Sequence, residues 1–130
     1  MNDILFLTIE EVRILHRHQI ASYGGEHGVR DAGLLESALA QPKAMFNGDY
    51  LHRDIFEMAA AYLFHLVKNH PFIDGNKRVG ALTAYVFLMI NGYRLTMLPD
   101  PFTEMVLAVA EGRLDKTEIA RFFREHTEDK

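Results

Sequence analysis

The chain has 130 residues, of which 48% are hydrophobic and 25% are charged, and its formal net charge is −4. This size and balance indicate one globular domain with a core of its own, and they exclude a disordered chain. The sequence has no cysteine, which excludes disulfides, thiolate catalysis and cysteine zinc sites. It also has no basic stripe of the kind that binds nucleic acid, so we expect no direct nucleic-acid binding.

The N-terminal residues do not resemble a secretory leader, because they lack a basic region followed by a long apolar stretch. The longest near-apolar run, Val79 to Ile90, is shorter than the roughly 20 residues that cross a bilayer. We interpret this run as a buried helix. We therefore expect a cytoplasmic protein with no contact to a membrane.

Local signals predict two helices at the start of the chain. Thr8 and Glu11 have the spacing of a capping box, so a helix should begin there and end at Gly24-Gly25. Asp31 is the expected N-cap of a short second helix, which Pro42 would close.

Residues 42–53 have no helical periodicity and contain Asn47-Gly48, a turn signal that favours a small hairpin. The third helix should follow a capping box formed by Asp54 and Glu57. Its apolar residues occur on most of its circumference, which is typical of a central helix.

The second half of the chain predicts three more helices, at Asn76 to Ile90, about Phe102 to Glu111, and Lys116 to Glu125, with Asp115 as the last N-cap. The acidic tail, residues 125–130, is expected to fray. Together these elements predict an all-α fold. It would be a compact helical bundle around two central helices, with a small hairpin, as a single domain over residues 1–130.

A polar loop, His70–Arg78, separates the two most apolar helices and places a histidine, a carboxylate, an amide, a lysine and an arginine within nine positions. Pro71 should push His70 out of the helical region and so end the preceding helix. Phe72 should pin the loop in the core, and Gly75 should permit the turn with which the next helix begins beside a ligand. The helix that begins near Asn76 would present unpaired N–H groups, which form an anion site.

The charges in this loop indicate a phosphate ligand. Lys77 and Arg78 occupy the first turn of a helix, where cations are unfavourable unless an anion neutralises them. Asp74 could share a magnesium ion with phosphate oxygens, and His70 could take a proton from an attacking hydroxyl. For His70 alone, capping of the preceding helix would be the preferred interpretation, but the residues that follow it favour a role in the site.

This loop resembles the signature of the Fic/Doc superfamily, His-x-Phe-x-Asp/Glu-Gly-Asn-Gly/Lys-Arg. The matching residues are His70, Phe72, Asp74, Gly75, Asn76, Lys77 and Arg78. Residues 23–39 and 107–112 also resemble death-on-curing (Doc) toxins, so the similarity covers nearly the whole chain. The resemblance implies a single Fido domain.

The resemblance also implies roles for these residues. His70 would be the general base, Asp74 the magnesium ligand, and the backbone N–H groups of residues 75–77 the anion hole. Arg78 would hold the phosphates of ATP. The segment 42–53 would be a flap on which an extended segment of the target protein docks as an added strand.

Two positions bear on the group that is transferred. Protein AMP-transferring members have glycine where this chain has Lys77, and a second arginine where it has Ala81. In Doc toxins the lysine accompanies an inverted nucleotide, which implies transfer of the γ-phosphate to a serine or threonine, with the translation factor EF-Tu as target and arrest of translation as result. Gly75 fits the AMP-transferring pattern, so AMP transfer is an alternative, as is a non-catalytic binding module of the same fold.

Some family members carry an inhibitory helix with the pattern Ser/Thr-x-x-x-Glu-Gly/Asn, which this sequence lacks. The resemblance therefore implies a separate antitoxin, partly disordered, that folds as a helix into a groove of the bundle.

The other histidines do not suggest a metal site. His16 and His18 are two residues apart and cannot share a helix face, so both are expected on the surface. His65, inside an apolar helix, is expected to be a hydrogen-bonded core residue.

Overall fold

A computed structural model describes residues 3–130. The helices are α1 (Ile9–Tyr23), α2 (Ala32–Ala40), α3 (Ile55–Asn69), α4 (Asn76–Ile90), α5 (Pro99–Ala110) and α6 (Lys116–Glu125), and a 3-10 turn, Gln41–Lys43, follows α2. The strands are β1 (Met45–Phe46), β2 (Asp49–Tyr50), β3 (Tyr93–Leu95) and β4 (Thr127–Asp129). The predicted all-α class with a small hairpin is confirmed.

The two predicted central helices, α3 and α4, pack against each other in the middle of the molecule. Both faces of α3 are buried, as its sequence indicated. Gly80 of α4 makes the close approach possible, because a Cβ atom there would lie 3.0 Å from Val67 and 3.4 Å from Leu63 of α3. This pair of helices holds both ends of the 70–75 loop.

Side chains cap four helices as predicted. Thr8 accepts from the Glu11 N–H, and the Glu11 carboxylate accepts from the Thr8 N–H, which completes the box. Asp31 and Asp115 also cap their helices. Asp54 caps α3, but its predicted box is incomplete.

The incomplete box at α3 has a local cause. The carboxylate of Glu57 accepts from the Arg53 N–H at 2.8 Å instead of from the N-cap residue. The side chains of Arg53 and Glu57 also form an ion pair, which favours this position of the carboxylate.

The hairpin is confirmed, since Asn47 and Gly48 connect β1 to β2. Both have positive φ, 51° and 85°, as a type I′ turn requires. Helix α5 begins three residues earlier than predicted, at Pro99. Proline is favoured in the first turn of a helix because no N–H is needed there.

The prediction of a frayed tail is wrong. Residues Thr127–Asp129 pair with Tyr93–Leu95 as an antiparallel two-stranded sheet. Arg94 and Glu128 lie opposite each other in this register and form an ion pair. Within residues 3–130, none of the helices combines the length and apolarity that crossing a membrane requires.

Candidate active site

The loop between α3 and α4 begins with an unusual backbone conformation. Helix α3 ends at Asn69, and His70 is its C-cap with φ 49° and ψ 53°. The predicted departure of His70 from the right-handed helical region is confirmed, but the residue adopts the left-handed region, which is strained for a side chain other than glycine. Phe72 is 1% exposed and anchors the loop in the core, as its place in the sequence led us to expect.

The buried side chain of Asn76 supports the loop from inside. Its Oδ1 accepts from the Phe72 N–H and its Nδ2 donates to the Phe72 carbonyl, both at 3.0 Å. These two bonds orient the amide so that Nδ2 faces Nδ1 of His70 at 3.3 Å. From the sequence, only the backbone N–H of Asn76 was assigned a role, in the anion hole, so the role of its side chain in supporting the loop was missed.

The imidazole of His70 is exposed, and within residues 3–130 its Nε2 has no hydrogen-bond partner. The Nδ2 group of Asn76 can only donate, so in this 3.3 Å contact Nδ1 of His70 is the acceptor and the neutral ring carries its proton on Nε2. Nε2 can accept a proton only in the other tautomer, with the proton on Nδ1, in which the hydrogen bond to Asn76 is absent.

The carboxylate of Asp74 is exposed and is held by two backbone N–H groups. Oδ1 accepts from Gly75 at 3.0 Å, and Oδ2 accepts from Glu26 at 3.2 Å. Each oxygen keeps a lone pair for a cation. Residues 3–130 contain no cluster of three histidine or acidic groups that could hold a metal. This single carboxylate suits magnesium, which is usually bound by one or two carboxylates together with substrate phosphates and water.

The N-terminus of α4 lies directly after this carboxylate. Gly75 is the N-cap with φ 76° and no side chain caps the helix. The first helical hydrogen bond runs from the Val79 N–H to the Gly75 carbonyl. The N–H groups of residues 76–78 are consequently available to an anion, and the exposed side chain of Lys77 adds a full positive charge at this helix end.

Arg78 is half-buried and connects α4 to the end of α1. Its Nη2 donates to the Gly24 carbonyl at 2.9 Å. Beside it lies a mostly apolar cavity of about 190 Å³ between α4 and α5, lined by Lys77, Arg78, Ala81, Phe102, Thr103, Val106 and Leu107. A phosphate contact by Arg78 stays a prediction, because the guanidinium already binds α1.

The α1–α2 connection, residues 24–31, packs along the loop and holds its backbone. The N–H groups of Arg30 and Asp31 donate to the Pro71 carbonyl at 2.7 and 3.0 Å. The Ile73 N–H donates to the Gly28 carbonyl at 3.0 Å. From the sequence, this segment resembles Doc toxins and supplies the N-cap Asp31, but its hold on the loop was missed.

The prediction that His16 is a surface residue is wrong, whereas His18 is exposed as expected. His16 is 2% exposed, and burial lowers its pKa. The two-residue spacing of His16 and His18 excludes a metal pair but does not show which face of α1 is buried. His16 lies four residues from both Val12 and Ile20, which are buried. That spacing was the signal that could have placed it inside.

His65 is hydrogen-bonded as predicted, since its Nε2 lies 3.1 Å from Nζ of Lys116. The prediction of a core position is wrong, because the residue is only half-buried. Burial, together with the charge of Lys116, lowers the pKa of His65 to about 4.

The fold and the loop define a helical domain in which a histidine, a carboxylate and an uncapped helix N-terminus lie together. The sequence model of the Fic/DOC family matches residues 6–88. The chain is 30% identical over 118 residues to "Protein kinase doc" of Escherichia phage P1, which covers 91% of this chain and 92% of the phage protein. It is 45% identical over 74 residues to "Toxin Doc" of Mycolicibacterium smegmatis, and this match spans 57% of each protein. The chain belongs to the Fic/Doc family.

Proposed function

We propose that this protein is a Doc-type toxin that transfers the γ-phosphate of ATP to a serine or threonine hydroxyl of a target protein. The observation that carries the proposal is the arrangement of His70 and Asp74 beside the uncapped N-terminus of α4, with Lys77 in its first turn. The similarity to a phage protein named as a protein kinase supports the same chemistry.

Each residue of the site has a role in this reaction. Nε2 of His70, in the tautomer that carries its proton on Nδ1, accepts the proton of the attacking hydroxyl. The hydroxyl oxygen forms a bond to the γ-phosphorus while the bond to the β–γ bridging oxygen breaks, and ADP leaves. The N–H groups of Asn76 and Lys77 stabilise the negative charge of the phosphates. When bound, Mg²⁺ would be held by Asp74 and would neutralise phosphate charge.

The hairpin is the proposed docking site for the target. Met45, Phe46 and Leu51 are exposed apolar residues in and beside its two strands. An extended target segment could pair with the hairpin through main-chain hydrogen bonds and cover these side chains. By family resemblance the target is EF-Tu, whose modification would arrest translation.

The proposed partner is an antitoxin with a disordered segment that folds on binding. A groove of about 430 Å³ lies between α1, α4 and α5 and is lined by Gln19, Tyr23, Arg78, Ala81, Leu82, Tyr85, Pro99, Phe102 and Thr103. Tyr23 at its rim is 72% exposed, and such apolar rims suit an amphipathic helix. The groove shares Arg78 with the cavity beside Lys77, so a bound helix would obstruct the nucleotide.

The antitoxin proposal is tested by isolating the complex from the native host. A tightly bound small partner that is displaced when Tyr23 and Tyr85 are changed to serine supports it. Harmless expression of this chain alone, with no partner co-purifying, contradicts it.

The transferred group is tested with purified EF-Tu, and in parallel with cell extract, using ATP labelled at either the α or the γ position. Label from the γ position alone on the target supports the kinase. Label from the α position shows AMP transfer, the second candidate, which Gly75 favours. His70→Ala should abolish transfer without unfolding the protein, and an unchanged rate in this variant would mean that His70 is not the base. If the parent protein itself has no activity, only the interpretation as a binding module remains.

A further inference from the structure

The buried side chain of His16 lies directly beneath the 70–75 loop. Its ring stacks on Phe72, with centroids 3.8 Å apart and planes 11° apart. Its Nε2 lies 2.7 Å from the Asp74 carbonyl oxygen. A Cβ atom at Gly75 would lie 3.7 Å from the same nitrogen. One side chain of α1 therefore contacts three positions of the loop.

The short contact fixes the tautomer of His16. A carbonyl oxygen can only accept, so Nε2 must carry the proton and donate. At 2.7 Å this is a short hydrogen bond for a nitrogen donor, and it satisfies a carbonyl next to the N-terminus of α4.

The bond also fixes the orientation of the peptide between Asp74 and Gly75. In a planar trans peptide, C=O and N–H point to opposite sides. Because the carbonyl is directed at His16, the Gly75 N–H is directed away from it, to the side where it meets Oδ1 of Asp74 at 3.0 Å. A peptide followed by glycine can rotate at low cost. Rotation here would turn the Gly75 N–H toward the Nε2–H of His16 and set two donors against each other.

We propose that His16 is a positioning residue that holds this peptide in place, so that the Asp74 carboxylate and the Gly75 N–H face the same side. The inference rests on the function proposed above, in which that side receives the magnesium ion and the phosphates. Histidine suits the position because it combines a flat ring for stacking on Phe72 with a donor at the far end of the ring.

Two substitutions of His16 separate its stacking on Phe72 from its hydrogen bond to the Asp74 carbonyl. His16→Phe retains a flat ring but removes the donor, whereas His16→Gln retains an N–H donor near the position of Nε2 but removes the ring. His18→Phe is the matched control, because His18 is exposed on the same helix. The probe is ATP with Mg²⁺, titrated calorimetrically into each protein without target, and thermal unfolding is measured in parallel.

We expect His16→Phe to bind Mg²⁺ and ATP about 10-fold or more weakly, the size of effect seen when a residue that orients a ligand is removed. His16→Gln should recover part of the affinity, and His18→Phe should match the parent. The ¹⁵N relaxation dispersion of Gly75 should show microsecond-to-millisecond exchange in His16→Phe alone. A His16→Phe protein that has lost only thermal stability, with parental affinity and no exchange at Gly75, would overturn the proposal.

The ring nitrogens of the unsubstituted protein give a second test that does not depend on the variants folding. Their ¹⁵N shifts should show a His16 ring whose Nε2 carries a proton, and an unprotonated Nε2 would overturn the inference. If the parent protein does not bind ATP, the proposed function fails. The exchange measured at Gly75 and the tautomer of His16 then still test whether His16 holds the Asp74–Gly75 peptide in place.

Discussion

The guanidinium of Arg30 binds the carbonyl oxygen of His70, with Nε as donor at 2.7 Å. Its Nη2 donates to the Asn69 carbonyl at 3.0 Å. Both acceptors lie at the C-terminal end of α3, where carbonyls lack helical partners and a cation is favourable. Arg30 thereby stabilises the strained left-handed conformation of His70.

Arg30→Ala should lower both stability and turnover. We expect the free energy of unfolding to fall by about 1–3 kcal/mol, because two hydrogen bonds from a charged group are lost, and kcat to fall about 10-fold as the His70 backbone relaxes. Arg30→Lys should restore part of the stability and part of kcat. Arg17→Ala, an exposed change on α1, is the control; parental kcat in Arg30→Ala would show that the base does not depend on this contact.

Gly25→Ala should impair the site more than Gly24→Ala. Both glycines have positive φ, 115° and 86°, so alanine is strained at either position. Only at Gly25 would the new Cβ meet the site, 2.9 Å from Oδ2 of Asp74. We expect the Mg²⁺ concentration for half-maximal activity to rise at least about 10-fold in Gly25→Ala and to stay near the parental value in Gly24→Ala. Equal values in the two variants would argue against a metal role for this carboxylate.

Asp74→Ala should remove activity, because the loop offers the cation no other carboxylate. We expect a loss of about 100-fold or more, since magnesium contributes several kcal/mol to stabilising charge in the transition state. Asp129→Ala in β4 is the exposed control. Activity of the parent that persists unchanged in excess chelator would contradict the assignment.

The low pKa of His65 predicts a pH-dependent stability. Burial first, and then the charges of Lys116 and His52, lower its pKa from 6.5 to about 4 in the folded protein. The unfolded chain therefore binds more protons between pH 6.5 and 4, so stability should decline as the pH falls through this window.

We expect this decline to be on the order of 1–2 kcal/mol, less than the full shift implies, because the ring is only half-buried and water screens it. His65→Phe should flatten the curve of unfolding free energy against pH by this amount, whereas the control His18→Phe should not. Parallel curves for parent and His65→Phe would contradict the shifted pKa.

Lys77→Gly tests the choice between phosphate and AMP transfer. If the ammonium of Lys77 sets the orientation of the nucleotide, its removal should slow γ-phosphate transfer by about 10-fold or more, since a full charge at the anion site is lost. A gain of AMP transfer is not required, because Ala81 stands where AMP-transferring members have a second arginine. Lys77→Arg should restore the rate only partly, as the two cations differ in shape. Parental phosphorylation by Lys77→Gly would remove the main support for the kinase.

The sequence by itself determined the elements whose signals are local. Helices α4 and α6 have the predicted bounds, because their limits depend on glycine, asparagine and capping residues within a few positions. The 70–75 loop, the turn at Gly75 and the burial of Phe72 followed from the same short stretch. Such features depend on hydrogen bonds and steric limits between near neighbours, which a sequence pattern records directly.

Only the tertiary structure decided what holds the loop. His16 and Asp74 are 58 residues apart, and Arg30 and His70 are 40 residues apart. The pairing of Thr127–Asp129 with Tyr93–Leu95 likewise joins distant segments. No local pattern specifies these contacts, because they arise when the buried faces of α1, α3 and α4 pack together and bring donors and acceptors into reach. The reactive groups are encoded within nine consecutive residues, but their positions are set by side chains and backbone from the first quarter of the chain.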